Sequence, residues 1–174
     1  MFYLLPEKVS PKIRKLEYMN KTRFSVIKDV TTGSNTRIYD HVNLYKCKIG
    51  KDTKIDAFVY IEEGVVIGDR VKIRPFTFIP SGVTIENDVF IGPHVTFTND
   101  KYPKINSEWK LLKTTIKQGS IIGAGCVILP VTVGRNSLIG AGSVVTEDIP
   151  ENVLAFGNPA KVIRKIALNE HTED

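Results

Sequence analysis

Two cysteines, three histidines and one tryptophan are all that the 174 residues carry of the side chains that most often form disulfides, hold metals or stack on bases. Cys47 and Cys126 are too few and too far apart for a metal-binding motif. Cys126 falls in the small inward column of the repeat described below, where cysteine packs as a small apolar residue. With only His41, His94 and His171, a three-histidine zinc site is poorly supplied, and no metal is expected. No run approaches the ~18 apolar residues needed to cross a bilayer. The opening MFYLLPEKVSPKIRK has neither a leading basic region nor a small-residue cleavage site, so a secretory leader is not expected and a cytoplasmic setting is the default. The 24 Lys and Arg exceed the 19 Asp and Glu only modestly, and they are scattered. Without an aromatic–basic platform, neither nucleic acid nor membrane is an expected partner.

What the chain has instead is a period. Ile49, Ile55, Ile61, Ile67, Ile73, Ile79, Ile85, Ile91 and Phe97 recur at every sixth position. A helix repeats its apolar residues at three and four, a lone strand at two. Six is even, so an extended chain that turns a corner each cycle returns its side chains to one face. A fixed hexad is the sequence sign of a parallel β-helix. A second column of Thr53, Val59, Val65, Val71, Thr77, Val83, Val89 and Val95 supports it, because β-branched residues are already stiff in the extended conformation. The pattern runs back through Leu44 to Ile38, with one five-residue step between Leu44 and Ile49.

The expected organisation is one domain. Residues 1–33 form an arm or cap, 34–157 the β-helix, and 158–174 a short C-terminal helix and tail. In the last part Asn158 reads as a cap with Pro159 at the first helical position. The phase breaks at about 99–113, where NDKYPKINSEWKLLK has no six-residue column, and resumes at Ile116. Insertions of this length in a compact domain are usually functional. The later hexads carry Gly123-Ala124-Gly125 and Gly140-Ala141-Gly142. These serve either tight corners alone or a side-chain-free strip for an extended ligand such as a pantetheine arm.

The Ile-Gly hexads, IIGAGCVILP, LIGAGSVVTEDIP and AFGNPAKVIRKI together resemble the hexapeptide-repeat acyltransferases over residues 38–166. That resemblance implies a left-handed parallel β-helix assembled as a homotrimer, with active sites between subunits. One departure stands out: ILPVTVG lacks the glycine that follows the proline in that family, which puts the local turn in question. Within the family, VFIGPHVTFTNDKYPK resembles the N-acetyltransferases of dTDP-linked 3-amino-3,6-dideoxyhexoses. Acetyl-CoA as donor and a nucleotide-linked amino sugar as acceptor are implied. The 99–113 segment contains no histidine, unlike the maltose and galactoside O-acetyltransferase branch.

Acetyl transfer to an amine needs a neutral amine, a thioester within reach and a donor for the oxyanion. An amine with a pKa near ~8, as for the reference α-amino group, is partly neutral already, so a strong base helps without being obligatory. His94, in the corner before the break, is the candidate base or orienter, against a plain surface corner. Asn99 and Asp100 are candidates for contacting acetyl group and amine, against an Asx turn that launches the insertion. Tyr102 and Trp109 are candidates for stacking on the acceptor. Gly123, Ala124 and Ala141 would line the pantetheine, and Lys161 and Arg164 would reach its phosphates. The competing readings are sugar O-acetylation or transfer of a longer acyl group, and a β-helix that is a scaffold or carbonic-anhydrase-like.

Overall fold

The computed structural model describes residues 24–105 and 109–166; His171 and most of the expected arm lie outside them. Within them the chain winds as a three-faced parallel β-helix of about seven coils. The first face has seven strands, from Val26–Lys28 through Asn43–Tyr45, Tyr60–Ile61, Phe78–Ile79, Thr96–Phe97 and Val127–Ile128 to Val144–Val145. The second face has six strands and the third eight, and every contact between coils is parallel. Away from the insertion and the last coil, successive coils are 17 or 18 residues apart, so that Ile49 pairs with Ile67 and Ile67 with Ile85. Corner backbone continues the ladder: Gly50 N–H donates to Ile67 O and Gly68 N–H to Ile85 O, each at 2.8 Å.

The hexad columns are the core. Ile55, Ile61, Ile73, Ile79, Ile91, Ile116, Ile122, Ile128 and Ile139 are fully buried. Each buried side chain of this size contributes about 1.5–3 kcal/mol over the exposed state. The small column mixes Val with Thr, Ser and Cys, and the hydroxyls of Thr53, Thr77, Ser120, Ser137 and Ser143 find acceptors in corner carbonyls. Thr53 Oγ1 donates to Gly68 O at 2.9 Å and Ser137 Oγ to Pro150 O at 2.6 Å. Where ILPVTVG omits its glycine, Val131 takes the small inward place and the step from Ile128 to Val133 shortens to five.

Two expectations need correction. The first coil starts before residue 34: Val26–Lys28 and Thr31–Thr32 pair with Asn43–Tyr45 and Lys48–Ile49. Ile27 and Thr32 hold the inward places there, too few to show a period. The C-terminal segment is a hairpin, not a helix. Val153–Gly157 extends the third face beside Leu138–Ile139, and Ala160–Lys165 returns antiparallel to it. Asn158 and Pro159, joined by a cis peptide bond, form the reversal rather than a cap and first turn. β-Branched Val162 and Ile163 suit a strand, and the last coil offers an unpaired edge that the return strand covers. Lys161, Arg164 and Lys165 then lie on the outer strand, where charge discourages further pairing.

Candidate active site

One corner of the solenoid, between the third and first faces, changes character halfway along its length. In the early coils it carries a ring on every turn: Phe24, His41, Phe58, Phe76 and His94, spaced 17, 17, 18 and 18 residues apart. Strands lie about 4.8 Å apart, which is close to the offset stacking distance of aromatic rings. The ring centroids accordingly stand 5.4, 5.0, 4.9 and 4.8 Å apart, with planes within 17°. His41, Phe58, Phe76 and His94 all take positive φ, between 58° and 62°, which turns the ring outward at the corner.

On the next coil the column continues as Gly125 and then Gly142, with φ of 68° and 71°. The backbone bond of the corner persists: His94 N–H donates to Pro75 O, Gly125 N–H to Pro93 O and Gly142 N–H to Ala124 O. A Cβ at Gly125 or Gly142 would meet nothing within 4 Å. His94 is therefore the last ring, with one face on Phe76 and the other toward open space. The first glycine of each Gly-Ala-Gly has a different reason. A Cβ on Gly123 would come within 2.5 Å of Ala141 N, and one on Gly140 within 2.8 Å of Phe156 Cβ. These residues let the coils close on each other; Gly125 and Gly142 leave room. Ala124 and Ala141 are exposed between them. Cys126 lies under the strip with its Sγ 3.2 Å from Gly140 O, and burial pushes its thiol pKa up, which keeps it from acting as a nucleophile.

The first face leads from this corner to the insertion. Thr96, Val127 and Val144 form its outward row in register. At its far edge Asn99 accepts from Leu112 N–H at 3.0 Å, closing the neck, and its Nδ2 donates to Ser81 O at 3.2 Å. Asp100 Oδ1 accepts from Tyr102 N–H at 2.8 Å, an Asx turn. From the insertion Lys101 Nζ reaches Thr146 O at 3.5 Å, past the end of Val144–Val145, which brings its ammonium group beside the row. Thr98 and Thr114, at its two feet, have buried hydroxyls without a partner among the described residues.

His94, Asn99 and Asp100 thus share one coil and one face, His94 at one edge and the other two at the opposite edge. Tyr102 and Trp109 are exposed on the insertion, 81% and 58%. Gly123, Ala124 and Ala141 share the His94 corner. Gly157 N–H donates to Ser143 Oγ at 3.2 Å, tying the C-terminal hairpin to the end of the strip. Lys161 follows the hairpin turn, with its Nζ 3.8 Å from Glu147. Arg164 lies further along the third face, opposite Leu154. His41, exposed, is the second ring of the column, between Phe24 and Phe58. The column itself escaped the sequence reading, although its spacing of one ring per coil is written in the chain.

The family described as Bacterial transferase hexapeptide (six repeats) matches residues 46–81 and 66–99, and Hexapeptide repeat of succinyl-transferase matches 113–147. Together they cover just over half of the chain and leave out the insertion. The galactoside O-acetyltransferase of Lactococcus lactis is 43% identical over 91 residues, 45% of this chain and 44% of that protein. The match therefore spans less than half the length of that relative. AntD, an N-acyltransferase from Bacillus cereus solved with dTDP and coenzyme A, superposes with TM-score 0.73 at 22% identity, covering 88% of this chain and 90% of that one. Perosamine N-acetyltransferase from Caulobacter crescentus, solved with CoA and GDP-perosamine, gives 0.60 at 22%, covering 82% and 55%. At these identities the likeness is one of fold.

Proposed function

Because the chain belongs to the hexapeptide-repeat transferases, we propose that it moves acetyl from acetyl-CoA to the amine of a nucleotide-linked sugar, of the dTDP-linked 3-amino-3,6-dideoxy type. The observation that carries this reading is the switch in the corner column at His94, from rings to empty glycine corners. The strip over Gly125 and Gly142 offers an extended chain a path along exposed Ala124 and Ala141, ending at the open face of the imidazole. Lys161 at one end of the strip and Lys101 at its side supply positive charge for phosphates. The acceptor enters between the strip and the insertion, over Thr96.

In that arrangement His94 accepts the proton of the amine as it attacks the thioester carbonyl, or holds the amine by a hydrogen bond. Asp100 has one oxygen engaged by Tyr102 N–H, which leaves the other to orient the amine. Asn99 acts as a positioning residue that fixes the neck. Tyr102 and Trp109 contact the acceptor from the insertion. The working unit is a homotrimer whose sites lie between neighbouring chains. A second reading, O-acetylation of a sugar, is favoured by the galactoside O-acetyltransferase relative. A hydroxyl acceptor makes a base obligatory, and the open imidazole of His94 suits that role.

Thiol release from acetyl-CoA, followed against dTDP- and UDP-linked amino sugars and against free glycosides, separates the two. Turnover with an amino sugar is expected. Turnover confined to glycoside hydroxyls would replace the first reading with the second.

A further inference from the structure

The first face also holds a cavity away from the glycine strip. It has a volume of about 360 Å³ and is lined by Asn43, Tyr45, Tyr60, Glu62, Glu63 and Ser81. That size is within the ordinary range for small-ligand sites. Tyr60 and Asn43 are neighbours in the outward row that continues through Phe78 to Thr96. Tyr60 is 41% exposed and is braced by Phe78, centroids 5.4 Å apart at 49°. Tyr45 is held by Lys28 and Lys46, whose ammonium groups stand 5.5 and 5.0 Å from its ring centre.

The polar groups divide into spent and unspent. Glu63 is paired with Lys46 at 3.1 Å. Glu62 Oε2 accepts from Ser81 N–H at 2.9 Å and Ser81 Oγ at 3.3 Å. Glu62 Oε1, the Asn43 amide and the Tyr60 hydroxyl have no protein partner among the described residues. All three residues line the same cavity, beside the Tyr45 and Tyr60 rings. A carboxylate acceptor, an amide that both donates and accepts, and a flat ring are the groups that bind a hydroxylated ring: hydroxyls donate to the carboxylate while C–H bonds rest on the aromatic face. The two carboxylates disfavour a phosphate in the cavity itself.

Ser81 joins this cavity to the insertion. It binds Glu62 on one side, and its carbonyl accepts from Asn99 on the other. Along the face, Tyr60 lies two strands from Thr96, roughly 10 Å. We propose that the Tyr60–Glu62 cavity binds a neutral hydroxylated ring, furanose or pyranose, belonging to the acceptor and remote from its reacting amine. This deepens the acceptor half of the function proposed above and rests on it. Donor and acceptor then approach Thr96 from opposite ends of one face.

The test is saturation-transfer NMR on the full chain with two probes, thymidine for a nucleoside furanose and methyl galactopyranoside for a pyranose. At least one probe is expected to show ring-proton transfer that falls at least fivefold in Tyr60→Ala and Glu62→Gln and persists in His94→Asn. Which probe responds identifies the ring. Glu62→Gln keeps the shape of the site and serves if Tyr60→Ala unfolds. Absence of transfer from both probes, or transfer unchanged in both variants, overturns the proposal. If transfer behaves as expected but no amine or hydroxyl is acetylated, the acyltransferase reading fails and the ring site stands. With a working acceptor, an acceptor KM unmoved by Glu62→Gln overturns the ring site and leaves the transferase reading intact.

Discussion

Below His94 the corner between third and first faces carries stacked rings on every coil; above it the same corner carries glycine. Backbone conformation does not distinguish the two halves. His41, Phe58, Phe76 and His94 share positive φ with Gly125 and Gly142, and the corner N–H of His94, like those of both glycines, donates to the coil below. The side chain alone changes, from one that fills the corner to none. A regular solenoid can therefore make a site without disturbing its ladder, by stopping a column. His94 lies at that boundary with the packing of the lower half beneath it and the vacancy of the upper half above.

Moving the boundary is the strongest way to break the comparison. Gly125→Phe extends the ladder by one ring and covers His94; turnover of acetyl-CoA is expected to fall by at least 100-fold. The left-handed backbone there costs a non-glycine residue roughly 1–2 kcal/mol. The Cβ itself meets no atom, so thermal unfolding should shift by only a few degrees. Gly123→Ala tests the other kind of glycine. Its Cβ would lie 2.5 Å from Ala141 N, and overpacking of this sort costs about 1–3 kcal/mol. A denaturant titration should show that loss, whereas Gly125→Ala should lose less. His94→Asn keeps the corner and removes the imidazole. A fall in turnover of at least tenfold is expected from acid–base catalysis, measured as kcat for thiol release. A shift in acceptor KM alone would make His94 a binder.

The smallest effects lie at the feet of the insertion and on the flank of the solenoid. Thr114→Val replaces a buried hydroxyl that has no partner among the described residues, so stability by chemical denaturation should hold or rise by about 1 kcal/mol. Glu86 is held below its usual value of 4.5: burial opposes this, but hydrogen bonds from Lys117 and Gln118 N–H outweigh it. The hydrogen-bonded Arg70 guanidinium holds Asp88 below 3.8. A depressed carboxylate contributes stability above its unfolded pKa and loses it as pH falls through the folded value. Thermal stability should accordingly be flat near neutrality and decline as pH drops below about 4.5. Both side chains are partly exposed, 28% for Glu86 and 35% for Asp88, so salt should weaken the effect.

The core was legible because a six-residue period is a property of the linear sequence, and Ile49 to Phe97 needs no knowledge of what lies across the prism. The insertion was legible for the same reason, as the place where the period fails. The ring column was harder. Its members lie 17 or 18 residues apart, and the five-residue steps between Leu44 and Ile49 and between Ile128 and Val133 hide the coil length behind the hexad. Asn158-Pro159 is an ambiguous signal. Cap and first turn, or tight reversal, are equally permitted by local chemistry, and the bare edge of the last coil is a tertiary fact. Asn99 and Asp100 read from sequence either as contacts for acetyl group and amine or as an Asx turn, and the bonds to Ser81, Leu112 and Tyr102 account for the turn. Tyr60 and Glu62 gave no signal of their own, since they become neighbours of Asn43 and Ser81 only when coils stack.

Coenzyme A binding by the full chain, titrated calorimetrically against the native protein, Gly125→Phe and Phe58→Ala, decides whether the glycine half of the corner holds the donor. Binding at least 100-fold weaker is expected in Gly125→Phe, with a change of less than threefold in Phe58→Ala, which alters the filled half of the same corner. Equal affinity for all three would contradict it and place the donor elsewhere on the solenoid.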